Sequence, residues 1–554
     1  MELMNAETHK CQNCRSQFTI ESGDFDFYEQ LDLPAPHYCR YCLWKYLLAF
    51  SIFGRFRITK SALSGKKMIT VLPESVPFPI YEHAEFISDA WDPMSYGQDY
   101  DPDRSFIEQL IELQAKVPHP HQTGIKNLNC DWCDDVWESK ESYLTRSGLR
   151  IENVSYGYRV FESKNSIDLT YCFNLERSYD CLYCFSSYNL QYSFNSHDCI
   201  DGAFLYDCRN CQNCFMCWNL RNKSYCIRNT QYTKESYFEE LKKINLRSYL
   251  AVENLRKEFW EHIRRDAVHR AHYNTKVVNS SGNFLTEDKS CFACYFFEQS
   301  ENCRYCFRGI DSRENIYIVG SVGEKCGLGS LDQWGYGNVC NLYTTYCRWS
   351  AYLDNSEECE YCFGCVGLRK KKYCILNKQY SKQEYEKLIV QIKEKMKKYG
   401  EWGKFWPLSA AYAGYNYSFG QVNFPMSKAE VVNFGARWEE LPTTEHVGIN
   451  SDDLPDNIDD VKDDIVQQRI ICSETKLSHN IATHELAFYR EHGIPLPRRH
   501  FDWRTLNRFR PMTLMVYPQR GICIYCNKEI EHYYAPELGF EKIACVDCYQ
   551  KELL

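Results

Sequence analysis

One cysteine-rich segment occurs twice in this sequence, and the duplication limits the possible folds more than any other feature. The first copy ends in Cys211, Cys214, Cys217 and Cys226, and the second in Cys359, Cys362, Cys365 and Cys374. Equivalent cysteines lie 148 residues apart, and residues 220–227 (LRNKSYCI) match residues 368–375 (LRKKKYCI). An internal repeat of this kind predicts a modular architecture.

Within the first copy, residues 151–231 show a nine-residue period. Its fourth position is occupied by Val154, Ser163, Cys172, Cys181, Leu190, Cys199, Cys208, Cys217 and Cys226. The period is too short for a helical repeat, whereas nine extended residues reach about 30 Å. Two units therefore predict an 18-residue turn of a parallel β-solenoid, with small cysteine side chains stacked inside.

The predicted fold is mainly β with α. It has two cysteine-rich parallel β-solenoid (nonapeptide-repeat) modules, each followed by a capping helix, between N- and C-terminal zinc ribbons. Thr233 caps a predicted helix that runs to about Arg265, and Ser381 with Glu384 forms a capping box for a second helix. The predicted boundaries are 1–60 (zinc ribbon), 61–128 (metal-free ribbon hairpin and helix), 129–232 (solenoid), 233–270 (helical connector), 271–380 (solenoid), 381–400 (capping helix), 401–470 (aromatic, then acidic linker) and 471–554 (helix and zinc ribbon).

Pairs of CxxC motifs near the two ends predict two structural zinc sites. The first pairs Cys11 and Cys14 with Cys39 and Cys42, and the second pairs Cys523 and Cys526 with Cys545 and Cys548. Each short CxxC turn aims two thiolates inward, and two such turns can surround one zinc ion tetrahedrally. Metal binding also supplies folding energy that a small ribbon lacks.

Residues 61–85 have ribbon spacing without ribbon ligands. Ser61, Ser64, Glu82 and Glu85 occupy the places that cysteines take in the C-terminal ribbon. Serine hydroxyls do not hold zinc, so we predict a metal-free β-hairpin. The alternative is a residual oxygen-ligand site on the two glutamates.

The duplicated cysteine quartets have three interpretations. They can be packed free thiols, zinc ligands or ligands of an iron–sulfur cluster. The repeat phase favours packed thiols, because Leu, Ser and Val replace Cys freely at equivalent positions. The last cysteine of each quartet follows after eight residues, a spacing that differs from common iron–sulfur motifs.

Charge and apolar patterning restrict the function classes. The formal net charge of -9 disfavours a wholesale nucleic-acid coat. The segment Arg498, Arg499, Arg504, Arg508 and Arg510, interleaved with aromatic residues, is a candidate nucleic-acid patch, or else a cationic surface that pairs with the acidic residues of 452–464. No secretory signal is recognised at the start, and the longest apolar run, residues 46–53, is too short for a membrane span. A cytoplasmic protein with reduced or metal-bound thiols is expected.

Several motifs together resemble a known family. They are the first CxxC pairs, residues 91–100 (WDPMSYGQDY), the two LR(N/K)KxYCI segments, residues 485–490 and 494–498, and residues 534–536. The chain resembles the uncharacterised zinc-ribbon proteins, rich in Cys and Tyr repeats, of candidate-phyla-radiation bacteria. The family often has cysteines where this chain has Ser61, Ser64, Glu82 and Glu85, and a CxxC near His500 and Trp503. The resemblance implies an architecture and no activity.

The first hypothesis for function is a non-catalytic, zinc-stabilised scaffold that docks to a protein or a ribonucleoprotein. A nucleic-acid binder that uses the ribbons and the Arg498–Arg510 patch is the alternative. A redox or iron–sulfur protein that uses the duplicated quartets is the third. The sequence shows no nucleophile–base pair and no phosphate-binding loop, so an enzyme is disfavoured, and the oligomeric state is left open.

Overall fold

The computed structural model describes residues 6–440 and 447–553, which form two compact units. Unit 1 consists of the chain up to Gln122 together with His272–Glu440, and unit 2 consists of Thr123–Ala271 and the C-terminal segment. Each unit contains one large parallel sheet, small antiparallel hairpins and several helices. The predicted combination of many strands with helices is therefore confirmed, together with two cysteine quartets near the termini.

Unit 1 has its sheet in the second of its two segments. Its strands are Glu7–Lys10, Gln17–Ile20, Arg57–Lys60, Lys67–Thr70, Ile80–Tyr81, His119–Pro120, Gly282–Thr286, Cys294–Glu298, Phe307–Ile310, Ile316–Glu324, Gly327–Tyr336, Leu342–Thr345, Cys374–Ile375 and Lys378–Gln379. Its helices are Phe25–Gln30, Arg40–Leu48, His83–Phe86, Phe106–Lys116, Lys382–Lys398, Phe419–Asn423 and Lys428–Asn433.

Unit 2 has its sheet in the first of its two segments. Its strands are Cys133–Trp137, Thr145–Leu149, Glu152–Ser155, Tyr158–Phe161, Lys164–Glu176, Tyr179–Leu182, Phe185–Gln191, Ile200–Tyr206, Gln212–Trp218, Ser224–Ile227, Thr230–Gln231, Val268–Arg270, Ile449–Asn450, Ile470–Ile471, Ser478–His479, Gln519–Ile522, Glu529–His532 and Lys542–Ala544. Its helices are Lys234–Leu241, Tyr249–Arg265, Thr483–His492, Phe501–Thr513 and Val546–Leu553.

Most neighbouring strands of both large sheets pair in parallel with a register of twelve residues. In unit 2 Gly202 pairs with Cys214, which pairs with Cys226, and in unit 1 Gly282 pairs with Cys294. Ile316 of unit 1 pairs instead with Gly327, eleven residues on. The predicted 18-residue repeat is therefore wrong, because paired residues lie twelve, or locally eleven, positions apart. The nine-residue period arises because buried residues recur at every third position, and nine and twelve are both multiples of three.

A left-handed backbone residue precedes each inward residue of the sheets. In unit 2 positive φ angles recur at every third residue, as at Asn195, Asp198, Asp201, Phe204 and Asp207, with φ between 51° and 55°. Asn and Asp tolerate this region best, and β-branched residues are excluded from it by steric clash. The left-handed residues therefore recur three positions apart, and four such steps equal the twelve-residue register of the paired strands.

The interior of each sheet is lined by sulfur and aliphatic side chains. In unit 2 one buried cluster contains Cys172, Cys181, Cys208 and Cys217 among Val and Leu residues, each at most 2% exposed. In unit 1 similar clusters contain Cys294, Cys306, Cys362 and Cys365. Cysteine suits these positions because it is small and readily buried.

Several predicted helices are confirmed, and one is wrong in extent. Ser381 and Glu384 form the predicted capping box of Lys382–Lys398, and Gly493, at φ 62°, ends Thr483–His492. The single helix predicted from Lys234 to about Arg265 is instead two helices, Lys234–Leu241 and Tyr249–Arg265. The break forms because Ser248 caps the second helix, and its hydroxyl and the N–H of Leu250 donate to the Asp456 carboxylate.

Candidate metal centres

The first cysteine quartet is assembled by a hairpin and a helix of unit 1. Strands Glu7–Lys10 and Gln17–Ile20 carry Cys11 and Cys14 in their turn, and Cys39 begins the helix Arg40–Leu48 that contains Cys42. All four Sγ atoms lie within 4.8 Å of one another. The Cys14 and Cys39 sulfurs are 3.7 Å apart, close to the roughly 3.8 Å edge of a tetrahedron with 2.3 Å metal–sulfur bonds.

The second quartet has the same construction in unit 2. Strands Gln519–Ile522 and Glu529–His532 carry Cys523 and Cys526, and Cys545 and Cys548 lie at the start of the helix Val546–Leu553. The four sulfurs again lie within 4.8 Å, and those of Cys526 and Cys545 are 3.9 Å apart. Both predicted quartets are therefore groups that can hold a metal ion.

N–H donors from the backbone and from one side-chain amide favour the thiolate form that a metal requires. The N–H of Cys545 donates to the Cys523 sulfur at 3.2 Å, and the Nδ2 atom of Asn13 donates to the Cys42 sulfur at 3.2 Å. Burial opposes ionisation of Cys523, but N–H donors from Cys526, Cys545 and Tyr525 lower its pKa to about 6. Donors at the sulfur act in the same direction as a bound cation.

The hairpin turns of the quartets share a backbone pattern. The N–H of Cys11 donates to the carbonyl of Ser16, and that of Arg15 donates back to Cys11. Cys523 and Asn527 make the equivalent bonds in the second quartet. The fifth residue is left-handed in each, with φ 63° at Arg15 and 57° at Asn527.

Two further hairpins reproduce this pattern without a cysteine quartet. In unit 1 Ser61 and Gly65 make the same two bonds, and Glu82 begins the helix His83–Phe86 as Cys39 does. The Ser61 hydroxyl donates to the Glu85 carboxylate, and hydrogen bonds from Ser61 and then Ser64 lower the pKa of Glu85. Ser61, Ser64 and Glu85 thus converge where thiolates would meet.

Sequence reasoning noted His500 and Trp503 as the place of a CxxC in the similar family, but it missed the fourth hairpin, in unit 2, that meets them. Cys472 and Lys476 repeat the bonds, Lys476 has φ 58°, and His500 caps the helix Phe501–Thr513. Thr475 occupies the second ligand place, and Trp503 the fourth. The spacing Cys472-x2-Thr475 followed by His500-x2-Trp503 is the signal that could have revealed it.

The duplicated quartets lie inside the sheets, each as a row of buried thiols. Cys214 lies beside Cys226, and the Cys217 thiol donates to the carbonyls of Phe215 and Cys226 at 3.2 and 3.5 Å. The Cys359 thiol donates to Leu368 in the same way. Among residues 6–440 and 447–553, the two terminal quartets are the groups in which three or more ligand atoms lie within 4.8 Å. The duplicated quartets are not among these groups, so their sulfur atoms do not surround a common point as the terminal quartets do.

The arginine-rich segment forms the helix Phe501–Thr513 and the residues before it. Arg504 and Arg508 are buried and paired with Asp168 at 2.9 and 2.7 Å. Arg499 pairs with Glu474 at 3.2 Å, and Arg510 is exposed. Arg498 donates to the carbonyls of Asp452 and Leu454. Two of the five predicted nucleic-acid contacts are thus committed to internal ion pairs.

The acidic run of residues 452–464 makes specific contacts within unit 2. Asp459 pairs with Arg247, and Asp463 pairs with Arg490 at 2.6 Å. Burial raises the pKa of the Glu485 carboxyl to about 7, although the backbone N–H of Ala482 donates to it.

In the part of the chain that the structure describes, no helix is both long and apolar enough to cross a bilayer.

Comparisons with known proteins add little. No family model and no curated protein matches the chain. Among solved structures, the chain is similar to a protein of Desulfovibrio desulfuricans G20 that is described provisionally as an acetyltransferase. The match covers 47% of this chain and 71% of that chain, with 8% identity and a TM-score of 0.10. So low a score carries no argument, and the resemblance to the bacterial zinc-ribbon family stays a prediction.

Proposed function

We propose that the protein is a non-catalytic, zinc-stabilised cytoplasmic scaffold that docks to a protein or a ribonucleoprotein. The observation that carries the proposal is the closed ligand set of both quartets. Four cysteine sulfurs complete the tetrahedral shell of zinc and leave no position for water or substrate. Such a centre stabilises a fold and does no chemistry.

The proposal includes two β-solenoids, each with a turn of about twelve residues, which equals the register between neighbouring strands. It is supported by that parallel register, by the left-handed residue at every third position and by the buried thiol rows. Helices Lys234–Leu241 and Lys382–Lys398 follow the last turns, and Tyr237 and Tyr385 contact Tyr225 and Tyr373 there. Capping helices of this kind protect the open strand edge of a solenoid.

Metal analysis tests the closed centres. Protein purified without chelators should contain two zinc ions and no iron per chain, and Cys14→Ser and Cys526→Ser should each lose one ion. Cys217→Ser, which changes a buried thiol of the sheet, is the matched control and should keep both ions. Stoichiometric iron, or zinc lost from the control, would replace this proposal with a cluster or zinc centre in the sheets.

Docking is tested on an exposed aromatic surface of unit 1. Trp334 and Tyr346 are 45% and 48% exposed, with ring centroids 4.9 Å apart. Exposed apolar groups of this kind occur at interaction sites. A partner retained by the native protein should be lost from the Trp334→Ser/Tyr346→Ser variant and kept by Tyr399→Ser, a control that is 64% exposed. Ribonuclease treatment then separates a protein partner from a ribonucleoprotein, and equal retention by all three proteins contradicts the proposal.

The nucleic-acid alternative has its own test. Exposed Arg510 and part-exposed Arg499 are the residues to reverse, since Arg504 and Arg508 are structural. If the alternative holds, Arg499→Glu/Arg510→Glu abolishes salt-sensitive retention of single-stranded RNA or DNA. Retention that is absent from the native protein, or unchanged in the variant, removes this alternative.

A further inference from the structure

A cleft in unit 2 is lined by more arginine side chains than carboxylates. It has a volume of about 190 Å³ and lies between the sheet strand Tyr179–Leu182, the helix Tyr249–Arg265 and residues 495–508. Its lining combines carboxylates, aromatic rings and guanidinium groups. The arginines are Arg256, Arg498, Arg499, Arg504 and Arg508, and the carboxylates are Asp180 and Glu253.

The floor of the cleft is a chain of shared ion pairs. Asp180 pairs with both Arg256 and Arg508, and Asp168, which lies behind, pairs with both Arg508 and Arg504. Three guanidinium groups therefore share two buried carboxylates. Glu253, half-exposed and 3.2 Å from Arg256, formally balances the third guanidinium group. Arg498, which donates to the backbone carbonyls of Asp452 and Leu454, adds a further positive charge to the cleft.

One donor on this floor has no acceptor. The Arg504 side chain is 10% exposed, and its Nη1 atom donates to the carbonyl of Arg499 at 3.1 Å. Its buried Nη2 atom has no hydrogen-bond partner among the described residues. A buried guanidinium N–H without an acceptor is costly, and an anion in the cleft would satisfy it.

The mouth of the cleft offers flat surfaces. The Arg498 guanidinium lies 4.3 Å from the ring centroid of Tyr249 at the mouth. On the floor, the Arg256 guanidinium lies 4.5 Å from the ring of buried Tyr192. Trp503, half-buried, also lines the cleft. Stacked arginine and aromatic planes bind other planar rings, and arginine forks fit phosphate oxygens.

We propose that this cleft binds a small phosphate monoester carried on a planar ring, the chemical class of the nucleoside monophosphates. The phosphoryl group lies near Arg504 and Arg498, and the ring lies at the mouth against Tyr249 and Trp503. At about 190 Å³ the cleft is smaller than sites that enclose a whole drug-sized ligand, so part of the ligand stays in solvent.

Calorimetric titration of the full-length protein tests the proposal. The probes are the four ribonucleoside monophosphates, inorganic phosphate and adenosine. At least one monophosphate should bind more tightly than inorganic phosphate and adenosine, because it uses both the charged floor and the flat mouth. If no monophosphate binds at millimolar concentration, or if inorganic phosphate binds as tightly as the best of them, the proposal is overturned.

Variants at the mouth locate the site without disturbing the buried pairs. Arg498→Gln should weaken monophosphate binding at least about tenfold, and Trp503→Leu should weaken it while leaving phosphate binding unchanged. Arg490→Gln is the matched control, because Arg490 lies in the same unit but outside the cleft, paired with Asp463. A loss in the control equal to that in Arg498→Gln indicates general charge attraction and contradicts a defined site.

Discussion

At the scale of single residues, buried charge fixes the packing of unit 2. The sequence pattern identified Arg504 and Arg508 as a basic patch, because a one-dimensional run of arginines looks the same whether it faces solvent or carboxylates. Asp168 and Asp180 belong to the other segment of the unit and pair with these arginines, which therefore face carboxylates and not solvent. Pairings between segments so distant in the chain are invisible to local motifs.

Removal of Asp168 should therefore unfold or strongly destabilise the protein. In Asp168→Asn two buried guanidinium groups lose their shared counter-charge, and the free energy of unfolding should fall by about 3–5 kcal/mol. Chemical denaturation followed by tryptophan fluorescence measures the change. Asp463→Asn, which removes the 88%-exposed partner of Arg490, should change stability little, and equal effects in the two variants would refute the argument.

Glu485 should make stability depend on pH in the neutral range. Its carboxyl is buried against the Tyr156 hydroxyl at 2.9 Å, and burial raises its pKa from 4.5 to about 7. The folded state thus prefers the protonated acid, so its stabilising contribution is complete below pH 4.5 and is lost as pH rises through 7. The loss is about 3 kcal/mol.

The matched variant for this pH dependence is Glu485→Gln. The amide keeps the shape and the acceptor oxygen but carries no charge at any pH. Denaturation midpoints measured from pH 4 to pH 8 should fall more steeply for the native protein than for the variant. Parallel curves would show that folding leaves the pKa of Glu485 unchanged, and they would contradict this prediction.

At the scale of elements, four copies of one hairpin turn recur with different residues at the ligand places. Two were predictable, since CxxC pairs identify themselves by spacing alone. The Ser61 hairpin was predictable only by comparison with its cysteine relatives, and the Cys472 hairpin was missed because Thr475 and Trp503 carry no metal signal. The backbone bonds that unite the four copies do not depend on the ligands.

Ligands alone should therefore convert a metal-free copy into a metal centre. The combined substitutions Ser61→Cys, Ser64→Cys, Glu82→Cys and Glu85→Cys should add one zinc ion per chain, measured by mass spectrometry of the purified protein. Substitution of Ser61 and Ser64 alone gives two cysteines beside two carboxylates and should bind zinc more weakly than the fourfold variant. If the fourfold variant folds, as judged by circular dichroism, but binds no extra zinc, the equivalence of the four turns is wrong.

The sheets show why sequence analysis found a repeat but misjudged its length. Buried positions recur every three residues, but cysteines occupy only some of them. The cysteines alone therefore suggest a nine-residue period. The three-residue period becomes visible only when buried residues at a further phase, such as Ser178, Ser187 and Ser196, are counted with the cysteines. The Ser178 hydroxyl donates to the carbonyl of Glu176 and accepts the N–H of Leu190, so burial does not require an apolar side chain.

At the scale of the whole molecule, the described residues of each compact unit include one cysteine quartet, one hairpin of the same kind without a quartet and one large parallel sheet. Both units are assembled from segments far apart in the chain. A linear list of boundaries describes such an arrangement poorly, because composition shifts mark segments rather than the unit to which each belongs. The sequence predicted most pieces, and their grouping depends on tertiary contacts.

Loss of either metal should loosen the unit that contains it. Cys14→Ser should speed amide exchange in residues 7–48, and Cys526→Ser should do so in residues 519–553, because ribbon folding depends on the metal. Hydrogen-exchange mass spectrometry measures both regions in each variant, so each serves as the other's control. Exchange that is unchanged in both regions would mean that neither hairpin needs its ion.

The left-handed residues at every third position also restrict which substitutions the gene can tolerate. Codons at these positions can drift among Asn, Asp, Gly and unbranched residues, while Val, Ile, Thr and Pro are selected against. In a saturation-mutagenesis library selected for folded protein, these four residues should be depleted with a period of three codons. The first and last depleted codons would mark the ends of each sheet from genetic data alone.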